Sequence, residues 1–438
     1  MVNPLQRLRS INSLAGVLTL SVVMLCGCDV KTGLKPMPVI YGPRGLDLCS
    51  IIPESRRTSD VQVFYATDRK PKGPADHRVY ENDVDGTLHL GVSNVQMQID
   101  KKAASWDEIC RASGDEKTDE KTDPIFSLRN SSDFSDPAEF YAAINQQLAL
   151  TPNHELNIYV HGFFTKFDVA VETLGKMMHC SARRGVMVCF SWPARQSMLL
   201  YASDIERGRA SGPYLADLIE QLAANTNAEN INVLSYSVGA VCATDGLLEL
   251  RKRHADLTPE QLAKKFRIGN IIYAASDIDL ESFAREQIVQ LKDLCQHVVI
   301  YLSADDTVLQ MASLARGATR LGHPDPAKFT KEEQEAVAND PQIQVVDVTD
   351  VPGPQGFGGF GGHYYWYSND WVMTDVLVSL RWQISPDQRG LSRKPGQLRW
   401  YFPKDYPEKV TEAVKHLAMP TTAPASDESR QVSDSGRP

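Results

Sequence analysis

Ser237 stands where an apolar run, Ile231 to Leu234, leads into Ser235-Tyr236-Ser237-Val238-Gly239 and then into a helical pattern. A serine at a strand-to-helix turn, with small residues two before and two after it, has the form of a nucleophile elbow. Neighbouring backbone leaves no room for larger side chains at those flanking positions. Gly239 meets that demand; Ser235 meets it less fully than glycine would. Such a serine needs a base to take its proton and an acid to orient that base. Downstream, the run His297–Leu302 ends in Ser303-Ala304-Asp305-Asp306, and the run Ile343–Val348 leads into a loop containing His363. Asp306 is the candidate acid and His363 the candidate base. Asp277 closes another apolar run and is the alternative acid; its plainer role is to cap a helix starting near Leu280. Upstream, His161-Gly162-Phe163 follows the run Leu156–Val160. The backbone N–H groups of Phe163 and Val238 are candidates for an oxyanion hole, Val238 standing at a helix N-terminus.

These residues lie far apart in the chain, so a scaffold must bring them together. Short Val/Ile/Leu-rich runs at 156–160, 186–190, 231–234, 268–274, 297–302 and 343–348 alternate with stretches long enough for helices. That pattern predicts a mostly parallel central sheet covered by helices on both faces. Parallel strands open their carboxyl ends on one edge, where distant loops can converge. Val61–Thr67 and Thr87–Met97 read as further strands. Asp136-Pro137 starts a helix with an apolar face at Tyr141, Ile144 and Leu148. Thr258 with Gln261, and Thr330 with Glu333, read as capping boxes. No internal repeat of 20–50 residues is visible.

The ends read differently. Arg7 and Arg9 are followed by an apolar stretch, Leu14 to Leu25, too short to span a bilayer but suited to a signal peptide. It closes on Leu25-Cys26-Gly27-Cys28, which resembles a bacterial lipobox and implies cleavage before Cys28 and its lipidation. Acyl chains on Cys28, palmitate among them, would hold the protein on a membrane without a transmembrane helix. Asp29 resembles a signal for retention at the inner membrane, on its periplasmic face. The expected organisation is a signal peptide over 1–27, a lipidated cysteine and tether over 28–56, a hydrolase domain over 57–418 and a disordered tail over 419–438. Of the other cysteines, Cys49, Cys110, Cys180, Cys189, Cys242 and Cys295, Cys189 and Cys242 lie in apolar runs and read as buried small hydrophobes. Export permits disulfides, whose pairing the spacing does not fix.

The motifs together resemble a bacterial α/β-hydrolase family of unknown function. They read VFYATDRKP (63–71), YVHGFFTKFDVAV (159–171), CFSWPA (189–194), SYSVGA (235–240), AASDIDLESF (274–283), YLSADDTVL (301–309) and the closing Gly362-His363. The resemblance covers roughly residues 60–380 and implies an α/β-hydrolase fold with Ser237 as nucleophile, Asp306 as acid and His363 as base. It implies no substrate. Tyr236 and Val238 depart from the histidine and methionine that usually flank the family's serine, and Ser276 stands where proline is usual.

Other features take plainer readings. GFGGFGG at 356–362 lacks the Lys-Ser/Thr of a phosphate-binding loop and reads as a mobile lead-in to His363. Tyr364, Tyr365, Trp366 and Tyr367 read as aromatic packing or pocket lining. Ser191-Trp192-Pro193 reads as a floor to the site, and Tyr201, Asp204 and Arg209 as a solvated helix or a lid. His154, His179, His254 and His323 read as surface residues. No Cys/His spacing suits a metal, and the chemistry needs neither metal nor cofactor. The net charge, 46 − 55 = −9, becomes 44 − 55 = −11 without residues 1–27 and argues against nucleic acid as a partner. Two functions fit: a serine hydrolase of ester, acyl or thioester bonds in small-molecule or lipid substrates at the cell envelope, or a non-catalytic lipoprotein that keeps the fold for binding. A peptidase or amidase would use the same three side chains.

Overall fold

Continuous apolar strands need cover on both faces, and the chain supplies it around one large sheet. The computed structural model describes residues 32–42, 45–114, 122–151, 153–353 and 361–418. Among these, twelve strands form a single sheet. They are β1 (Thr32–Gly33), β2 (Asp60–Lys72), β3 (Val79–Ile99), β4 (Lys102–Ala103), β5 (Ile125–Asp133), β6 (Glu155–Val160), β7 (Val186–Phe190), β8 (Asn230–Tyr236), β9 (Ile268–Ala274), β10 (Cys295–Leu302), β11 (Ile343–Asp347) and β12 (Arg399–Tyr401). Their order is β1-β5-β3-β2-β7-β6-β8-β9-β10-β11-β12, with β4 paired to β3. From β2 to β12 every neighbouring pair is parallel. On the other side of β2, strands β3, β5 and β1 extend the sheet with antiparallel pairings.

The two faces are read directly from alternation along the strands. Leu156, Ile158 and Val160 of β6, with Ile231 and Val233 of β8, face one core. Helices α1 (Pro137–Leu148), α2 (Phe167–Cys180), α3 (Tyr201–Asn225), α4 (Gly239–Arg253), α5 (Thr307–Arg316), α6 (Asp370–Arg381) and α7 (Tyr406–Ala418) surround the sheet. The first face packs on α1, α3 and α4 through Phe140, Ile144, Leu215, Leu222 and Leu247. Tyr159, Leu234 and Tyr236 face the opposite core, with α2, α6 and α7 behind them. The cap at Asp136 and both capping boxes form as expected.

The chain order reverses at β6. After β6 the chain steps to β7 on one side, then returns to place β8 on the other. Such a reversal opens a crevice at the carboxyl ends of the two central strands, where open α/β sheets hold their ligands.

Several expectations change. The stretch expected as a tether is, from Thr32 onward, part of the domain. β1 pairs with β5, and Leu34, Ile40, Leu48 and Ile52 are buried in the core. These apolar residues are spaced irregularly because they fill gaps rather than form one face. Cys49 is disulfide-bonded to Cys110 across 61 residues of sequence, tying this segment to the helix Trp106–Gly114. Arg111 to Gly114, polar in sequence, form the last turn of that helix. Cys180, Cys189, Cys242 and Cys295 are free and buried. His179 is buried, not a surface residue: its Nδ1 accepts from Arg183 Nε at 3.2 Å. Cys28 and the tail 419–438 lie outside the described residues, as does most of the glycine-rich run. Among the described residues no helix is long and apolar enough to cross a membrane.

A loop of 61 residues closed by the Cys49–Cys110 bond is worth up to about 4 kcal/mol in the chain-entropy account. Cys110→Ser is therefore expected to lower the urea midpoint under non-reducing conditions, and reductant to bring the native protein to the same midpoint.

Candidate active site

The elbow is built from strain and close approach. Ser237 follows β8 directly and has φ 52°, the left-handed region that costs a residue with a Cβ. The end of β9 pins that conformation: Ser237 N–H donates to Ala274 carbonyl at 3.1 Å, and Asp277 N–H donates to Ser237 carbonyl at 3.2 Å. A Cβ on Gly239 would stand 2.1 Å from the His161 carbonyl oxygen, so the first turn of α4 lies against the end of β6. This is the physical reason for glycine two residues after the serine. Ser235 takes the position two before it, buried, with its hydroxyl donating to Ile272 carbonyl at 3.2 Å.

His363 reaches this serine from the loop after β11. Its Nε2 lies 3.1 Å from Ser237 Oγ and its Nδ1 lies 2.8 Å from Asp306 Oδ2. An ionised carboxylate only accepts, so Nδ1 carries the proton and Nε2 is left to accept from the serine hydroxyl. Asp306 caps α5: its Oδ1 accepts from Leu309 N–H at 2.9 Å while Oδ2 serves the imidazole. Both oxygens are thus directed by fixed donors. Gly362 has φ 72°, and a Cβ there would stand 2.6 Å from Asp305 backbone. The chain must therefore be glycine at this point to bring His363 beside Asp306. Ser237 is 7% exposed and His363 4%, while Asp306 is inaccessible.

Behind the imidazole stands an aromatic wall. The Tyr236 ring lies 5.2 Å from that of His363 and 5.8 Å from that of Trp366. Tyr365 is locked from two sides, donating to Tyr301 carbonyl at 2.8 Å and accepting from Ala275 N–H at 2.7 Å. The cluster after His363 is packing that fixes the loop's exit.

Asp277, the alternative acid, is not bonded to the imidazole. Its carboxylate accepts from Tyr201 hydroxyl and faces Arg320 Nε at 3.7 Å. Burial raises its pKa. The helix cap expected of it belongs to Asp279, which accepts from Ser282 N–H. Tyr201 opens α3 and sets its ring against Phe163 at 5.5 Å, so it spans from the β6 turn to the β9 turn. Asp204 is buried against Arg195 rather than solvated.

The turn after β6 is held by groups whose roles the sequence did not reveal. Trp192 stacks on His161, with ring centroids 5.4 Å apart and planes 14° from parallel, and its Nε1 donates to His161 carbonyl at 2.7 Å. His161 Nδ1 faces Gly162 carbonyl at 2.8 Å, and its Nε2 faces Ser191 Oγ at 3.2 Å. Arg69, fully buried, stands beside them. A Cβ on Gly162 would lie 3.1 Å from Ser237 Cβ, so this turn touches the elbow. Phe163 follows Gly162 in the turn that touches the elbow, and Val238 follows the serine as the residue that opens α4, at a helix N-terminus. Chemically, the arrangement allows proton transfer from Ser237 to His363, with Asp306 stabilising the imidazolium. Among the described residues no group of His, Cys, Asp or Glu could hold a metal ion.

Residues 136–380 match the family model described as "Alpha/beta hydrolase of unknown function". That span is more than half of the chain, and the chain belongs to this family of hydrolases. A solved structure of a Lactobacillus plantarum protein, assigned provisionally as a cell surface hydrolase, is 13% identical, covers 58% of this chain and 91% of its own, and has a TM-score of 0.27. No curated protein matches the chain.

Burial and the neighbouring Arg69 lower the His161 pKa to about 3, against about 6.5 in the unfolded chain. Between these values the unfolded state binds the extra proton, so stability rises with pH there and is lost as pH falls from about 6.5 toward 3. The slope expected from this group is up to about 1.4 kcal/mol per pH unit. Urea titrations of the native protein and His161→Asn over that range check it: the variant should show a flatter dependence.

Proposed function

We propose that the protein is a serine hydrolase of ester, acyl or thioester bonds, anchored at the bacterial cell envelope. Ser237 attacks the carbonyl as His363 takes its proton, and Asp306 stabilises the imidazolium. The amides of Phe163 and Val238 stabilise the oxyanion. Collapse expels the alcohol or thiol, which takes the proton from His363, and leaves an acyl-enzyme. Water, deprotonated by His363, then attacks the acyl group and restores the serine. The observation that carries this reading is the continuous hydrogen-bonded chain Ser237–His363–Asp306, with 3.1 Å and 2.8 Å links. Membership of a hydrolase family supports it. The Cys49–Cys110 disulfide supports passage through an oxidising compartment. Lipidation of Cys28 would place the domain on a membrane, at the periplasmic face of the inner membrane if Asp29 acts as the retention signal.

A fluorophosphonate probe should modify the native protein at Ser237, read by mass spectrometry. Ser237→Ala should abolish the adduct and His363→Ala should slow it severely. Asp306→Asn, which favours the wrong imidazole tautomer, should lower kcat on an activated ester by about 10⁴. Asp277→Asn should cost far less. Absence of labelling on folded protein would sink the catalytic reading in favour of a binding role.

The anchor is tested separately. Cells fed a tagged palmitate should label the native protein, and Cys28→Ser should lose the label and move to the soluble fraction. Native protein that takes no tagged palmitate, or a Cys28→Ser variant that keeps the label, would defeat the lipoprotein assignment.

A further inference from the structure

Arg69 lies on β2, on the far side of the β6 turn from the serine, and has no role in the chemistry above. Its Nε donates to Ser191 Oγ at 3.0 Å. One terminal nitrogen donates to Asn82 Oδ1 at 2.7 Å. The other donates to Thr165 carbonyl at 2.9 Å and faces His161 Nε2 at 3.3 Å. Among the described residues no carboxylate forms an ion pair with it. Asp68, Asp168 and Asp204 act on its charge only from beyond contact distance, and a buried guanidinium without a contacting counter-ion is costly. Burial lowers its pKa only to about 10, so the charge persists at neutral pH.

The bonds fall on both ends of one short turn. His161 and Thr165 bound it, and Phe163, whose amide is the proposed oxyanion donor, is its midpoint. Ser191 and Trp192, just after β7, hold the His161 end, so the turn that carries this amide is tied to groups on β2 and beyond β7. A planar guanidinium can meet several acceptors in set directions, which an ammonium cannot. Its charge, in contact with no carboxylate among the described residues, also lies on the β2 side of that turn, in a buried site where fixed charge acts strongly on developing negative charge.

We infer that Arg69 is the positioning residue of the oxyanion hole: it fixes the Phe163 amide and supplies positive potential where charge develops on the substrate carbonyl. This rests on the serine chemistry proposed above. Removing an oxyanion donor outright costs about 10²–10³ in kcat. Arg69 acts one step behind such a donor, so Arg69→Gln is expected to lower kcat by about 10- to 100-fold with KM changed by less than about threefold. Arg69→Lys keeps the charge and loses the fork, and should recover part of the loss. Asn82→Ala, which frees one arm of the guanidinium, should shift kcat in the same direction by a smaller factor.

The test uses the full-length protein with a p-nitrophenyl ester, each variant first checked by thermal unfolding. An alkylboronic acid, which mimics the tetrahedral state on serine, should weaken in proportion to the fall in kcat/KM. If Arg69→Gln does not fold, Arg69→Lys and Asn82→Ala carry the test. Folded variants with unchanged kcat, with KM raised at constant kcat, or with unchanged boronate affinity overturn the inference. A wild type that neither hydrolyses esters nor takes a fluorophosphonate overturns the Ser237 chemistry and this role with it. A wild type that is labelled, with variants labelled equally fast, overturns the Arg69 role alone.

Discussion

The contact between Gly239 and the carbonyl of His161 is the constraint on which the rest depends. It presses the start of one helix against the end of the neighbouring strand, closer than any side chain allows. With α4 seated there, Ser237 takes a left-handed turn, its N–H donating to the Ala274 carbonyl at the end of β9 and its carbonyl accepting from Asp277 N–H just beyond. The same approach brings the turn after β6 beside the serine, where Phe163 can take part. One close packing contact therefore sets both the nucleophile and the amide that would face its product.

Charge is arranged in two halves around this point. On the β10 side stands Asp306, inaccessible to solvent, with each oxygen given a donor. On the β2 side stands Arg69, likewise buried, bonded only to neutral groups. Between them His161 is kept neutral by burial and by that guanidinium. A neutral ring can accept from Arg69 and stack on Trp192, whereas a charged one would repel the cation. Asp306 and Arg69 sit on opposite sides of the serine, the negative one toward His363 and the positive one toward the turn after β6. That polarity is the one acyl transfer requires, since the imidazole gains positive charge as the carbonyl oxygen gains negative charge.

The central sheet was legible because its strands are buried on both faces and so read as continuous apolar runs. The elbow, Asp306 and His363 were legible because each follows such a run. What escaped reading has physical causes. β5 (Ile125–Asp133) carries Ser127, Arg129, Asn130, Ser131 and Ser132 because it lies in the antiparallel extension, where cover is partial. Residues 32–56 looked like a tether because gap-filling residues have no period. His179 looked like a surface residue because its partner, Arg183, is itself a charged residue that normally signals solvent. Arg69 belonged to a recognisable motif, yet nothing in a strand sequence shows that a guanidinium will cross to another strand's turn. Roles made by side chains meeting from β2, β6 and β7 are properties of the packed sheet and not of any one segment.

The two aspartates show why that limit matters. Asp277 and Asp306 both follow parallel strands, both are buried and both lie near the nucleophile, so strand order alone cannot separate them. Their partners do. Asp306 meets one backbone N–H and one imidazole, so its carboxylate is aimed at a ring able to become positive. Asp277 accepts from a phenol and stands 3.7 Å from Arg320, so a fixed cation already faces it, and burial still raises its pKa. A carboxylate whose counter-charge is fixed gains little from a second cation, whereas one facing a neutral imidazole gains most when that ring takes a proton. On that electrostatic ground Asp306 suits the acid of the proposed triad better than Asp277, whose bond to Tyr201 makes it a strut beside the serine.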